Sequence, residues 1–308
     1  MIIPDTSGMS HRPEIGADET INSLAVLASG VLAGNTSYSV TIDGENGAGL
    51  AADIDGTLDG VALNLIFTGT HGTEVDLVAA SGTVRDVTIN KGGDELRLVG
   101  ATTISGDVTV TAGQLSGQTA DHSFGSLTIA SGGTYSATSG TTTITAQEAV
   151  SGMGWKNEET DGTAFVHNNG LVKFTDNASV YCQEDTFYDL EINLSSSSLE
   201  LRWQDISGNT LTILNNLTIN SGRFKFNTAG DAITVHGLTT VNGGVNDQFG
   251  LGSPSGTHTF NGLVTNNGTF LTSSGTNNFN GGVRNLGTFT SNDTLTIGGT
   301  GGILEGNL

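Results

Sequence analysis

The sequence has little cysteine, proline or positive charge, and it has no long apolar run. Its 308 residues include one cysteine, Cys182, three prolines, and ten Lys or Arg against 31 Asp or Glu, which gives a formal net charge of −21. A single cysteine excludes a disulfide scaffold, and scarce proline excludes collagen-like and proline-rich chains. Nucleic acid requires a basic surface, and a membrane span requires ~20 apolar residues. Neither is therefore expected as a partner.

The acidic excess is unevenly distributed along the chain. Residues 1–84 contain eleven acids and one base, Arg12, whereas residues 226–308 contain four acids and one base. A solvated, self-repelling surface is the simplest interpretation; divalent-cation sites and adaptation to a salty medium are the alternatives. The start of the chain shows no basic segment followed by an apolar one, so no secretory signal is expected.

The strongest positive signal is an internal repeat. The stretch GTHTFNGLVTNNGTF at 256–270 realigns with GTNNFNGGVRNLGTF at 275–289, and ten of the aligned positions are identical. A looser unit, an alternating apolar pair followed by glycine and another apolar residue, recurs at 108–115, 127–132 and 217–224. Alternating Thr, Val, Ile and Phe are typical of strands, and the 46 glycines, with Asn, Asp and Ser, are typical of corners that need positive φ.

Short strands at a fixed period, with turns too short for crossover helices, predict an all-β parallel β-solenoid, or β-helix. At about 19 residues per turn we expect about 15 coils, stacked ~4.8 Å apart. Equivalent residues should form ladders: Phe260 over Phe279 and then Ile297, Phe270 over Phe289, and Asn266 over Asn285. The competing fold is an antiparallel sandwich or barrel array. Residues 18–32 are the one candidate helix, although they fit the strand unit nearly as well.

Changes in pattern predict three segments. Residues 1–18, which contain two of the three prolines, form an extended N-terminal arm that either docks on a neighbouring subunit or is disordered. Residues 19–145 form a first solenoid segment and residues 146–308 a second. The repeat pattern is lost near 146–163, either in a loop or at a seam between segments, and again near 245–254.

Several motifs suggest chemistry. Asp53 and Asp55, in the string DIDGTL, are similar to the nucleophile motif of haloacid-dehalogenase-type phosphatases, but the βα context is missing. The same residues with Asp59 form a turn or hold Ca²⁺ loosely, because closely spaced carboxylates suit a hard cation. Three sets of carboxylates have the spacing of one coil, as on polysaccharide-cleaving β-helices: Asp76 with Asp94 or Glu95, Asp86 with Asp107, and Asp176 with Glu184 or Asp185.

The histidines and tryptophans give weaker signals. The histidines have no metal-ligand spacing and are predicted at corners or on the surface: His71, His122, His167, His236 and His258. Trp155 and Trp203 either cover the edge of a coil or provide platforms for stacking on a glycan. We assign no catalytic, cofactor-binding or metal-ligating residue.

Three stretches carry a resemblance to a known class of proteins. These are FYDLEIN at 187–193, DGTAFVHNNGLVKF at 161–174 and TINSL at 20–24. They resemble the repeat-rich β-helical structural proteins of tailed phages, especially marine ones, and similar repeats occur in bacterial surface adhesins. The resemblance covers most of residues 19–308 and is specific for the fold rather than for the role.

The resemblance implies a non-enzymatic virion protein, either a tail fibre or spike or a capsid decoration protein. It would be a rigid rod, assembled in the host cytoplasm as a homotrimer, that attaches to other virion proteins through the N-terminal arm. A host-surface glycan is a candidate partner, and no cofactor is expected. The alternatives are a cell-surface adhesin or extracellular filament subunit, and a polysaccharide-degrading β-helix enzyme. The virion is favoured because no leader is visible.

Overall fold

The computed structural model describes the chain except residues 5, 7–12, 34–37, 60–62, 71, 78–83, 149–150, 160–161, 177, 182–184, 205–209, 227, 229, 244–247, 251–254, 292–294, 299–302 and 307–308. Arg12, His71, Cys182 and Glu184 lie outside this part. All regular secondary structure in the described residues is β, and they contain no helix.

The first strands in chain order are β1 (Ile2–Ile3), β2 (Glu19–Ile21), β3 (Leu24–Val26), β4 (Val31–Ala33), β5 (Ser39–Ile42), β6 (Leu50–Ile54), β7 (Thr57–Asp59), β8 (Leu63–Phe67), β9 (Thr73–Asp76), β10 (Val84–Leu98), β11 (Thr102–Ser116), β12 (His122–Ile129), β13 (Gly133–Ser136), β14 (Thr141–Ile144), β15 (Met153–Asn157) and β16 (Phe165–Val166).

The remaining strands are β17 (Leu171–Phe174), β18 (Ala178–Tyr181), β19 (Thr186–Phe187), β20 (Asp189–Asn193), β21 (Glu200–Gln204), β22 (Thr210–Ile213), β23 (Leu217–Ser221), β24 (Arg223–Phe226), β25 (Ala232–Val235), β26 (Thr239–Val241), β27 (Gln248–Gly250), β28 (Thr257–Phe260), β29 (Val264–Asn266), β30 (Thr269–Leu271), β31 (Thr276–Phe279), β32 (Gly282–Asn285), β33 (Thr288–Thr290), β34 (Leu295–Ile297) and β35 (Ile303–Gly306).

The chain forms two compact units. Unit 1 comprises Met1–Thr142 and Ala164–Asn168, and unit 2 comprises Thr143–Thr163 and Asn169–Leu308. In unit 1, one parallel ladder runs β1–β3–β6–β9–β10–β11–β13–β16. A second runs β2–β5–β8–β10–β11–β12, and β4 pairs with β7. The long strands β10 and β11 belong to both longer ladders.

Unit 2 repeats a three-strand turn. Its ladders are β17–β20–β23–β26–β29–β32–β35, β15–β18–β21–β24–β27–β30–β33 and β19–β22–β25–β28–β31–β34. Neighbours in each ladder are parallel and three strands apart in sequence. The chain is therefore an all-β solenoid of about 11 turns, and parallel pairing rules out the antiparallel alternative for these strands.

The predicted ladders are present in unit 2. Phe260 lies opposite Phe279, which lies opposite Ile297, and Phe270 lies opposite Phe289. The two Phe pairs stack with ring centroids 5.1 and 5.2 Å apart. Alternate residues point inward because side chains on a strand alternate between faces. Asn266 also lies opposite Asn285, and its amide donates to Asn285 Oδ1 over 2.7 Å. The predicted ladders are confirmed.

The expected 15 turns were too many. Val264 pairs with Val283 on the next turn, but this spacing between equivalent residues is not kept along the whole of unit 2. Leu190 pairs with Leu217, and Thr239 pairs with Val264, so both of these turns are longer than the clean C-terminal repeat. Longer corners use more chain per turn without adding a strand. The candidate helix at 18–32 is also wrong, because these residues form β2, β3 and β4.

Glycines in the clean repeat allow close approach between turns. A Cβ on Gly275 would lie 2.1 Å from the Gly256 carbonyl oxygen, and one on Gly281 would lie 2.2 Å from the Gly262 carbonyl carbon. Contacts under 3.0 Å are not tolerated by real Cβ atoms. Positive φ, the reason expected from the sequence, does apply at Gly113, with φ of 77°. Close approach between turns and positive φ are thus two separate steric reasons for glycine in this fold.

The described part of residues 1–18 belongs to unit 1 and pairs with the strands that follow it. Ile2 and Ile3 pair in parallel with Ala25 and Val26, and Ile15 donates its N–H to the Ala33 carbonyl over 3.0 Å. Ile3 and Ile15 are buried, whereas Ile2 is 69% exposed. The predicted segment boundaries at 18 and 145 stay predictions. Within the two irregular stretches, Met153–Asn157 and Gln248–Gly250 are strands of the second ladder of unit 2.

Candidate carboxylate site and groove

Three carboxylates converge on the outer face of unit 1. Asp53 of β6 lies opposite Asp76 of β9, and Asp55 follows β6 directly. One carboxylate oxygen from each lies within 4.8 Å of the other two. Asp53 and Asp76 are half-buried and Asp55 is exposed. The set could accept a hard cation such as Ca²⁺, which prefers oxygen ligands.

The site carries unfavourable charge. Burial, and then the negative charges of Asp55 and Asp76, raise the pKa of Asp53 above its ordinary value. Each of these causes disfavours the ionised carboxylate. The predicted calcium set combined Asp53 and Asp55 with Asp59, whose side chain is not in the described part; the structure adds Asp76. The DIDGTL motif lacks the strand–helix alternation that the phosphatase alternative requires, because no helix follows it among the described residues.

Beside this cluster a groove of about 300 Å³ opens on the same outer face. Its lining includes Glu74, Arg97, Gln118 and the backbone of Leu98–Gly100. Arg97 bridges two acids: its Nε lies 3.2 Å from Glu74 Oε1 and its Nη1 lies 3.1 Å from Glu95 Oε2. The floor therefore presents a guanidinium held in a fixed orientation by carboxylates from two turns.

The corner at 117–122 forms the far wall of the groove. Gln118 adopts a left-handed conformation, with φ of 53°, which is uncommon for a residue other than glycine. Its Nε2 donates to Ser116 Oγ over 2.7 Å, and the His122 Nε2 lies 2.6 Å from the Gly117 carbonyl oxygen. Burial lowers the pKa of His122, which favours a neutral ring that donates this hydrogen bond. These bonds fix the wall of the groove.

No protein-family model, curated protein or solved structure matches this chain. In the described residues, no helix is long and apolar enough to cross a membrane. The function must therefore be argued from the fold and from the arrangement of side chains on it.

One predicted acid pair forms and another does not. The Asp107 N–H donates to Asp86 Oδ1 over 3.0 Å, and Arg85 pairs with Asp86 at 2.9 Å, so Asp86 and Asp107 are neighbours on adjacent turns. Asp76, however, does not meet Asp94 or Glu95. The register pairs Val75 with Leu98, which places Asp76 beside Val99. The turn is longer here than in the clean C-terminal repeat, and on its other side Asp76 meets Asp53 instead.

The third predicted acid pair does not form an exposed groove. Glu184 is outside the described part, and Asp185 is 1% exposed. Asp185 accepts hydrogen bonds from Trp155 Nε1 over 2.8 Å and from Asn157 Nδ2 over 2.6 Å. Its carboxylate therefore belongs to the interior of unit 2 rather than to a surface site.

Both tryptophans are buried, Trp155 at 0% and Trp203 at 2% exposure, so neither is a platform for an external glycan. The alternative, that they cover the edge of a coil, stays a prediction. Two of the histidines predicted at corners or on the surface have buried side chains, since His122 and His258 are 2% and 0% exposed. The signal for His258 was present in the sequence: it is in phase with the inward-facing Phe260 on the same strand.

Unit 1 also contains a buried lysine. Lys91 is 2% exposed, and its Nζ donates to the Thr68 carbonyl over 3.1 Å and to Thr73 Oγ1 over 3.2 Å. Burial lowers its pKa, since the charged form loses solvation. The two bonds join Lys91 to the preceding turn. A lysine followed by Gly92 and Gly93, both with positive φ, gave no sequence signal for this role.

Proposed function

We propose that this chain is a non-enzymatic structural protein of a phage virion, either a tail fibre or spike or a capsid decoration protein. It would provide a stiff β-solenoid that presents a surface to the host or to the medium. This is the role that the repeat resemblance implies, and the fold is compatible with it.

The observation that carries the proposal is the length of the in-register ladders. In unit 2, two ladders each run through seven strands, with aromatic and amide side chains stacked on equivalents from turn to turn. Each turn contacts only its neighbours, so the stack is a rigid element assembled from small repeats. Such an element suits a spacer or a display surface better than it suits a closing, mobile active site.

Attachment to the particle is assigned to the N-terminal segment. Ile3 and Ile15 are buried within unit 1, whereas Met1 and Ile2 are the large hydrophobic residues in the described part of this segment that are exposed for docking, at 40% and 69%. In this proposal the docked assembly is a homotrimer. Replacing Ile2 with Glu should abolish attachment while leaving the solenoid folded.

The proposal is tested on purified virions. Mass spectrometry should detect the chain at a stoichiometry divisible by three per particle, and cryo-electron microscopy should place it on the tail or on the capsid. Absence from virions, together with recovery from the surface of uninfected bacteria, would support the adhesin alternative instead.

The groove favours a second candidate, a polysaccharide-degrading enzyme, because Arg97 there lies between the carboxylates of Glu74 and Glu95. This candidate predicts release of reducing sugar or unsaturated uronate from acidic polysaccharides, and loss of that release in Arg97→Gln. An absence of release across a broad panel of substrates would eliminate it.

A further inference from the structure

Three cations surround one carboxylate on an outer face of unit 2. Glu200 Oε2 lies 3.0 Å from Arg202 Nη2, and Glu200 Oε1 lies 3.4 Å from Arg223 Nη1. Lys225 Nζ also contacts Glu200 Oε1. Glu200 and Arg202 are on β21, and Arg223 and Lys225 are on β24, the next strand of the same ladder. We call these three cations with Glu200 the basic cluster.

The basic cluster has more positive charge than its carboxylate can balance. Hydrogen bonds from Lys225 and Arg202 lower the pKa of Glu200, so the cluster has a net charge of +2 at neutral pH. It contains three of the ten Lys and Arg residues of a chain whose formal net charge is −21. One cation is enough to balance the charge of the Glu200 carboxylate. The positive charge of the other two cations is therefore not neutralised within the cluster.

The cations remain accessible. The side chains of Arg202, Arg223 and Lys225 are 49%, 33% and 30% exposed, whereas that of Glu200 is 17% exposed. A half-exposed guanidinium retains donors that can bind an oxyanion in a bidentate manner. The carboxylate thus lies beneath a layer of cations that faces solvent.

Equivalent positions on successive turns continue from the cluster along unit 2, and we call this row the track. Parallel register continues the position of Glu200 and Arg223 through Gln248 to Thr269 and Thr288. Thr288 is exposed and Thr269 half-buried. Successive turns are ~4.8 Å apart. The track therefore offers the cations of the basic cluster and, further along unit 2, the hydroxyl groups of Thr269 and Thr288, which suits a linear polymer that has both oxyanions and hydroxyls.

We propose that the basic cluster binds an anionic polysaccharide that carries carboxylate or sulfate groups, with Arg202 and Lys225 contacting its oxyanions. This inference rests on the proposed function, since it names the class of glycan on the surface that the virion meets. The global charge of −21 opposes any polyanion, but a Debye length of about 8 Å at physiological salt screens all but local charges. The local net charge of +2 then decides binding.

The test measures binding to three soluble probes at ~0.15 M ionic strength: dextran sulfate, polygalacturonate and neutral dextran. The full chain should bind one or both anionic polymers and not dextran. Sulfate and carboxylate specificity are separated by which of the two anionic probes binds. The double variant Arg202→Gln, Lys225→Gln should bind at least about tenfold more weakly, because it loses charge-assisted hydrogen bonds.

Two matched variants make this test specific. The double variant Lys173→Gln, Arg284→Gln removes the same charge from two cations of unit 2 outside the cluster, which pair with Glu191 and Glu305. Its affinity should remain within about twofold of the wild type. Glu200→Gln should strengthen binding, since it releases all three cations, whereas Glu305→Gln, with the same change in net charge, should not.

Equal losses in both double variants, or no binding to either anionic probe, would overturn the proposal. A thermal melt of each variant checks that it is folded, and the predicted gain in Glu200→Gln does not depend on a loss of stability. The chain could also self-associate in a concentration-dependent way, without binding polysaccharide, and lose this self-association only in the cluster variants. That result would assign the cluster to a second copy of this chain and would also overturn the proposal. Failure here would leave detection of the chain in virions, the test of the proposed function, unaffected.

Discussion

Asp53 is a residue at which the cost of burying a carboxylate beside two other acids can be measured. Its pKa is raised, so the folded state disfavours the ionised form, and the resulting destabilisation is present at neutral pH and disappears as the pH falls through the raised value. We expect Asp53→Asn to raise the free energy of unfolding at pH 7 by roughly 0.2–1 kcal/mol, the range for like charges opposed across strands. Urea titrations at pH 7 and near pH 4 measure this difference, which should shrink at the lower pH.

Asp43→Asn is the matched control for that change, because Asp43 is an exposed carboxylate of the same unit. It removes the same formal charge without relieving the cluster. An equal gain in stability in both variants would mean that the benefit comes from the global charge and not from Asp55 and Asp76.

Asn266 tests the internal amide ladder. Its Nδ2 donates to Asn285 Oδ1 over 2.7 Å and to the Thr288 carbonyl over 2.9 Å, and the residue is fully buried. Asn266→Asp would present a carboxylate to these two acceptors, so we expect a loss of about 3 kcal/mol or more. Chemical denaturation measures it. The neighbouring Asn267 is exposed, and its Nδ2 donates to Asn242 Oδ1. Asn267→Asp should therefore lower the free energy of unfolding much less, and similar losses in the two variants would contradict a special role for the buried ladder.

At the scale of elements, the strand Met153–Asn157 is joined to the next turn by its buried tryptophan. Trp155 Nε1 donates to the buried Asp185, whereas Trp203 Nε1 has no hydrogen-bond partner within the described residues. Trp155→Phe and Trp203→Phe remove nearly the same volume, but only the first deprives a buried carboxylate of a donor. We expect Trp155→Phe to cost about 1–3 kcal/mol more. Thermal melts of the two variants compare them, and equal losses would reduce the effect to packing alone.

The length of each turn determined which pairings between strands could be predicted from the sequence. Phe260, Phe279 and Ile297 were placed in one ladder because their turns keep a near-constant length, so register follows from counting. The partner of Asp53 could not be found by counting. It depends on a turn longer than the clean repeat and on an irregularity between Leu50 and Ala52, and corner length is set by local loops that carry no periodic signal.

The sequence also predicted only in part which side chains point into the solenoid and which point to solvent. Alternation places Phe260 inside, and by the same rule His258 must be inside too, but a polar side chain suggested the surface. The basic cluster could not be predicted from the sequence. Glu200 and Arg202 on β21 are distant in sequence from Arg223 and Lys225 on β24, and the register of the two strands brings them together. Side-chain pairing across turns therefore becomes visible only when the length of each turn is known.

At the scale of the whole molecule, two electrostatic effects of opposite sign compete. A net charge of −21 destabilises the compact state by self-repulsion, which salt screens. Salt also weakens the surface ion pairs, such as those of Arg97 and Glu200, but exposed pairs contribute only about 0–1 kcal/mol each. Repulsion among the 31 acids should dominate, so the molecule should become more stable as the salt concentration rises.

We therefore expect 0.5 M NaCl, added at pH 7, to raise the midpoint of thermal unfolding by about 2 °C or more, the shift that ~1 kcal/mol gives in a chain of this size. Circular dichroism at the β-sheet band measures it. At a pH equal to the isoelectric point, pI ≈ 4.2, the same addition should have almost no effect, because no net charge remains to be screened. A midpoint that falls with salt at pH 7 would mean that the few cations, gathered at acids such as Glu200, stabilise the solenoid more than its acidic excess destabilises it.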